Sequence, residues 1–262
     1  LGALATGSVV GTAGCGTLRG GDSKNTNEEL TEVPWPSVKG TETDRWSQLD
    51  QRANDRGETA GVSIYTKTRR WEDAKLRQAV SEETLGEFDQ PIVQFFATTI
   101  DLRGRLTSMA GVDKIVGQVL PRFKQKLADA GDQNVQQKEP GKELATPSLD
   151  ENAQTTELVG YYPTPAISRT VTLPGAGKEK VKLERDRLPI RGFVTTWKVK
   201  NGRAFVAGGA HPISDYEKSE RVSVTSSEED GIDIVIQINL GLRPSQMAKR
   251  LNGLVSNVTA EW

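Results

Sequence analysis

From Ile232 to Leu242 the chain alternates with a period of two. Ile232, Ile234, Ile236, Ile238, Leu240 and Leu242 fall on one parity, and Asp233, Val235, Gln237, Asn239 and Gly241 on the other. This pattern predicts a strand with one buried and one largely wet face. Pro244 then opens a helix in which Met247, Leu251, Leu254, Val255 and Val258 share a face. Upstream, Gly192–Lys200 and Arg203–Ala210 flank Asn201-Gly202, a pair that accepts the positive φ angles of a type I′ turn, so a hairpin is expected. Ala166–Leu173 and Glu179–Leu188 alternate more weakly around Pro174-Gly175-Ala176-Gly177. Arg221–Ser226 precedes a charged turn, Ser227-Glu228-Glu229-Asp230-Gly231.

The first half carries a different rhythm. Val62–Tyr65 reads as a short strand and Trp71–Leu85 as a helix, with Ala74, Ala79, Val80 and Leu85 loosely on one side. Ile92–Leu102, rich in β-branched and aromatic residues and opened by Pro91, reads as a mostly buried strand. Val112, Ile115, Val116, Val119, Leu120, Phe123 and Leu127 then recur at helical spacing, with Pro121 marking a kink or break. Asp132–Glu157 is polar and holds Pro140 and Pro147, either a long surface excursion or a boundary. Both halves close on a strong strand followed by an amphipathic helix, by duplication or by coincidence.

Helices of this kind need a sheet face to cover. The expectation is therefore an α+β fold: a mostly antiparallel sheet with amphipathic helices packed on it and a C-terminal helix after the last strand. The divisions expected are 1–14, 15–43, 44–131, 132–157 and 158–262.

The N-terminal stretch is uncharged. Leu1 to Gly14 is rich in Gly, Ala, Ser and Thr and ends at Cys15, the only cysteine in the chain. Small residues directly before a cysteine, as in Thr12-Ala13-Gly14-Cys15, are the pattern of an export signal cleaved ahead of a lipid-bearing cysteine. Residues 1–14 are thus expected to be part of an export signal, Cys15 the lipidation site, and 15–43 a polar tether whose only apolar island is Val33-Pro34-Trp35-Pro36. A tether of some thirty residues spans about 30 Å on average. The apolar run is shorter than the ~20 residues of a spanning helix. With 34 Lys and Arg against 35 Asp and Glu, no global field attracts nucleic acid.

The search for chemistry returns little. His211, the only histidine, lies in Gly208-Gly209-Ala210-His211-Pro212 and is expected in a loop at the end of a strand. Any Ser-His-Asp arrangement would have to recruit it. One His and one Cys do not assemble the usual zinc or copper ligands. Glu228-Glu229-Asp230-Gly231-Ile232-Asp233 lacks the alternate-position spacing of a calcium loop. Gly175-Ala176-Gly177-Lys178 lacks the earlier Gly and the following Ser or Thr of a phosphate loop, because Thr172 and Glu179 stand there. The basic ribbon from Lys178 to Arg191 interleaves Glu179, Glu184 and Asp186 and reads as a charge-paired strand face. Tyr161-Tyr162-Pro163 and Trp197 fit either an apolar pocket or the core. No catalytic residue, metal or cofactor is assigned.

The run from Leu1 to Cys15, the tether after Gly16 and the closing pattern Ile232–Val258 together resemble the predicted lipoproteins of haloarchaea, which join a twin-arginine-type signal and a lipobox cysteine to a polar tether and an α+β domain of uncharacterised function. The resemblance implies a protein anchored in the cell membrane by lipid and facing the extracytoplasmic side. The expected role is non-catalytic binding or structure, with a protein partner or an apolar ligand. The alternatives are a carrier of an apolar ligand or lipid in a cavity between sheet and helix, or an exported hydrolase.

Overall fold

The computed structural model describes residue 30, residues 32–40, 44–59, 62–104, 117, 120, 121, 123–125, 133–138, 153–173, 177–199, 203–224 and 232–261. Within them the chain is mostly β, which corrects the expected helix-packed α+β class. Thirteen strands dominate. The two complete helices have ten and thirteen residues, α1 (Ala74–Glu83) and α2 (Pro244–Ser256). A third helical stretch is described only at residues 117, 120, 121 and 123–125, so Pro121 sits within helical backbone. The remainder of the helix expected over 112–127 lies outside the described residues.

The centre is a seven-stranded sheet in which every neighbouring pair is antiparallel. It comprises β2 (Trp46–Thr59), β3 (Val62–Asp73), β4 (Gln94–Gly104), β5 (Gln133–Lys138), β6 (Gln154–Thr164), β9 (Asp186–Lys198) and β10 (Arg203–Pro212). The spatial order is β2-β3-β4-β10-β9-β6-β5. The β4–β10 ladder, from Arg203 opposite Asp101 to Ala210 opposite Gln94, joins strands of the two halves read from the sequence. Strand β5 and the first residues of β6 fall at the two ends of the polar stretch 132–157, and the two strands form one end of the sheet. The hairpin of β9 and β10 pairs from Lys198 opposite Ala204 to Ile190 opposite Pro212, with Asn201-Gly202 outside the described residues.

Three two-stranded pieces complete the fold. Strands β7 (Ile167–Leu173) and β8 (Gly177–Leu183) form one, and β11 (Glu217–Val224) and β12 (Ile232–Asn239) another. The third pairs β1 (Trp35–Val38) with β13 (Val258–Glu261), near the two ends of the described chain. The island at Trp35-Pro36 is therefore part of the folded body. Val258, expected on the last helix, begins β13 instead.

Several polar strands were not legible as strands. Strand β2 reads Trp-Ser-Gln-Leu-Asp-Gln-Arg-Ala-Asn-Asp-Arg-Gly-Glu-Thr; it is an edge strand, exposed at Gln51, Arg52 and Ala53. An edge strand with little core to face needs no apolar alternation. It is held by its ladder and by Asp50, whose carboxylate takes a two-point contact from Arg70 at 2.8 and 2.5 Å. That hydrogen bond, with the attraction of Arg70 and Arg52, holds the Asp50 carboxyl below its ordinary range against the opposing effect of burial. Residues 71–73, expected in a helix, end β3. Asp73 caps α1, accepting from the Leu76 amide at 2.9 Å while Arg45 grips its other oxygen at 2.6 and 2.7 Å.

The core divides between the two faces of the sheet. One face carries Phe95, Ala97, Phe193, Trp197, Phe205 and Ala207, packed with Met247, Leu251, Leu254 and Val255 of α2. The other carries Ile100, Leu102, Val194, Ala204 and Val206, with Phe123 packed at a tilt on Phe96, ring centroids 5.0 Å apart. Helix α2 crosses β10 closely. A Cβ on Gly209 would stand 2.6 Å from the Gln94 carbonyl oxygen and 2.9 Å from Leu251 Cδ2. Glycine at this position is a packing requirement, since a side chain has nowhere to go. At Gly209 helix and sheet are therefore in direct contact.

Candidate functional site

Cys15, the residues expected as an export signal, most of the tether and the Glu228–Gly231 turn lie outside the described residues. His211 is not in a loop; it lies in β10, opposite Arg191 of β9, and is 2% exposed. Its Nδ1 stands 2.7 Å from the Pro212 carbonyl oxygen, so Nδ1 carries the proton and donates it to the main chain. A triad histidine is oriented by a carboxylate at this nitrogen; a carbonyl holds that place. Buried Glu157 is engaged with Arg191, Nε to Oε1 at 3.0 Å.

The other singled-out residues disperse. Gly177 has φ of +83° and begins β8, with Lys178 exposed beside it. Along the basic ribbon Lys182 pairs with Glu184 at 3.0 Å, and Asp186 with Lys218 at 3.5 Å. Tyr162 stacks on Phe88 and donates its hydroxyl to Gln90, while Trp197 packs on Phe205, so both belong to the core. Tyr161 is exposed. Asp233 accepts a hydrogen bond from the Ser223 hydroxyl.

A shallow cleft of about 300 Å³ lies beside α1, between Glu72, Arg77 and Asp89. Arg77 bridges both acids, at 3.0 Å to Glu72 and 2.7 Å to Asp89. The hydrogen bond to Asp89, then the field of Glu72, raises the Arg77 pKa, and the same bond lowers that of Asp89. These charges satisfy one another. No group of three His, Cys, Asp or Glu suited to a metal ion occurs among the described residues.

A different group is less balanced. Successive side chains of a strand alternate faces and cross-strand partners share one. Tyr65, Lys67, Arg69 and Trp71 of β3 therefore share the face of Asp101, Thr99, Ala97 and Phe95 of β4. The next strands extend these rows: Lys67, Thr99, Phe205 and Trp197 form one, and Tyr65, Asp101 and Arg203 the adjacent one. Above Lys67 and Arg69 lies the indole of Trp35 from β1, its centroid 5.0 Å from Lys67 Nζ and 5.4 Å from Arg69 Cζ. Arg69 also donates to the Pro36 carbonyl at 3.2 Å.

Lys67 is only 7% exposed, and Thr99 is fully buried. The Thr99 hydroxyl has no hydrogen-bond partner among the described residues. Asp101, the buried acid of this region, is engaged by Arg103 at 3.0 Å and Arg203 at 3.7 Å, with Arg103 also reaching the exposed Glu32. Among the described residues the Lys67 ammonium meets the ring of Trp35. Desolvation, with repulsion from Arg69, lowers the Lys67 pKa below its ordinary value.

Sequence reasoning missed this ledge because it ended the strand at Tyr65 and began a helix at Trp71. The signal was present: Tyr65, Lys67, Arg69 and Trp71 have one parity, aromatic at both ends, with long cationic stems that pack as apolar surface.

Residues 36–254 match the family described as a domain of unknown function (DUF6517), and the chain belongs to that family. No curated protein and no solved structure matches it significantly. No described helix is long and apolar enough to cross a membrane.

Proposed function

We propose that this member of the family is a lipid-anchored extracytoplasmic protein, attached through Cys15, that binds a partner or ligand without catalysing a reaction, as the predicted haloarchaeal lipoproteins are expected to do. The observation that best supports an anchored role is the way the chain enters the fold. A tethered domain must hold the first residues after its tether firmly. Strand β1 is fixed by its ladder to β13, by the Lys39 amide on the Asn257 carbonyl at 3.1 Å, by the Ser37–Thr259 hydroxyl pair at 2.9 Å, and by two cations against Trp35. The strand that follows the proposed anchor is thereby bound to the opposite end of the described chain.

The binding half of the reading draws on the Lys67 ledge, where two cations gather on the Trp35 ring beside a buried Thr99 hydroxyl that has no partner among the described residues. The hydrolase alternative finds little support in the setting of His211, and the carrier alternative little in the close contact of α2 with Gly209. The test is mass spectrometry of the mature protein from its native membrane. The expected result is a diacylglyceryl mass on an N-terminal Cys15, with release into the soluble fraction on Cys15→Ser. An unmodified Cys15 thiol would remove the anchor.

A further inference from the structure

We propose that Asn257 is the acceptor of an N-linked glycan, added by a transferase from a lipid-phosphate-linked oligosaccharide. The proposal rests on the extracytoplasmic half of the reading above and not on the lipid at Cys15. The pattern Asn-X-Ser/Thr, with X other than Pro, occurs once in the chain, at Asn257-Val258-Thr259. A three-residue pattern recurs by chance; what singles this one out is where the fold puts it.

Asn257 is the C-cap of α2, at the turn into β13, and it is exposed. A bulky glycan needs a surface turn of this kind. Val258, between the amide and the hydroxyl of the pattern, is buried in the core and anchors the segment without using Asn257. The Asn257 side-chain nitrogen carries two hydrogens and donates one to the Gly253 carbonyl at 2.9 Å. A glycosylated amide keeps one hydrogen, so a donor for this contact at the helix end remains. The Asn257 carbonyl, which accepts from the Lys39 amide at 3.1 Å, belongs to the main chain and is untouched. Strand β1 pairs with β13 from Trp35 opposite Glu261 to Val38 opposite Val258. Asn257 therefore lies past the Val38 end, roughly 10 Å along the ladder from the end where the proposed tether arrives. A glycan there does not crowd that entry.

The transfer balances without a redox partner. A bond forms between Asn257 Nδ2 and the anomeric carbon of the sugar as the bond from that carbon to the carrier's phosphate oxygen breaks. Nδ2 gives up one proton, and the carrier leaves as its phosphate. The pattern also demands a hydroxyl at Thr259, which in the finished fold pairs with Ser37 at 2.9 Å. Transfer therefore precedes the closing of β1 on β13, and the fold then accommodates the glycan because Asn257 stays outside.

The test is mass mapping of the full chain purified from its native cells. Trypsin cutting after Arg250 releases a peptide that begins at Leu251 and holds both Asn252 and Asn257, which fragmentation separates. The expected result is a sugar increment on Asn257 and none on Asn252. Asn257→Gln and Thr259→Ala remove the increment completely, whereas Thr259→Ser, which keeps the hydroxyl, retains it. Asn257→Gln keeps an amide at the cap and Thr259→Ser keeps the pair with Ser37, so both are expected to fold, which urea unfolding verifies. An unmodified Asn257 would overturn the proposal, whatever Cys15 carries. A sugar on Ser256 or Thr259 instead, or one that persists on Asn257 in Thr259→Ala, would overturn it equally. A glycan on Asn257 beside a bare Cys15 thiol would remove the anchor and leave this site standing.

Discussion

Two regions on one face of the central sheet are built on opposite terms. At the crossing of α2, Phe95, Phe193 and Leu251 are each 1% exposed or less and fit so tightly over Gly209 that a methyl group has no room. A few residues away on the same face, Thr99 is fully buried with no hydrogen-bond partner for its hydroxyl among the described residues, and the Lys67 stem covers it at 7% exposure. The first region gains stability from close packing. The second gives some of it up. A core that serves only stability has little reason to retain such groups, so the contrast makes the ledge the place to test for function.

The largest expected effects lie in the dry region. Gly209→Ala places a Cβ 2.6 Å from the Gln94 carbonyl oxygen and 2.9 Å from Leu251. Strand and helix must then separate, and the expected loss is about 3–4 kcal/mol, read as a fall in the urea midpoint. Unchanged stability would show that α2 does not press on β10. Leu251→Ala leaves a cavity and costs about 3 kcal/mol. Combining the two sharpens the contrast, because the cavity accepts part of the new methyl. The double variant is expected to lose about 1 kcal/mol less than the sum, and strict additivity would argue that the two residues do not touch.

How much of this was legible depended on what each residue faces. The buried parity of Ile238, Leu240 and Leu242, the face of α2 and the β9–β10 hairpin follow from apolar periodicity and turn chemistry, since those segments pack against the core. The strands β2, β5 and most of β6 did not show, because edge strands and polar faces need no such periodicity. The Gly208-Gly209 pair was a signal of close approach that sequence alone left without a partner; only the position of Leu251 and the Phe193 carbonyl explains it. The ledge was hidden for another reason. Its members come from β1, β3, β4 and β10, and no local pattern brings Trp35, Lys67, Thr99 and Arg203 together.

In the second region the sign reverses. Lys67→Met keeps the long stem over Trp35 and removes a charge that desolvation penalises, so after the loss of the ring contact the variant is expected to gain up to about 1 kcal/mol. Thr99→Val removes a buried hydroxyl without changing shape much and is expected to gain about 1 kcal/mol. Both are measured by chemical denaturation. A loss in either variant would mean that its polar atom is well satisfied, and the contrast between the two regions would collapse.

The smallest effect is a pH dependence of the Lys67→Met gain. Burial and Arg69 lower the Lys67 pKa in the folded state from the ordinary 10.5. At pH values below the folded pKa the amine is charged in both states, and the folded protein bears the full cost. Between that value and 10.5 the unfolded chain binds more protons than the folded one, so wild-type stability rises with pH relative to a chain lacking the group. The gain from Lys67→Met should therefore be constant near neutrality and shrink as pH climbs toward 10.5. Tyr65 and Arg69 on the same strand, Asp101 on β4 and Arg203 on β10 are present in both proteins, so the difference isolates Lys67 to first order. Urea midpoints of the two proteins, compared from neutral pH to just below 10.5, read this directly. A difference that stays constant or widens across that window would show that Lys67 is not held at a depressed pKa.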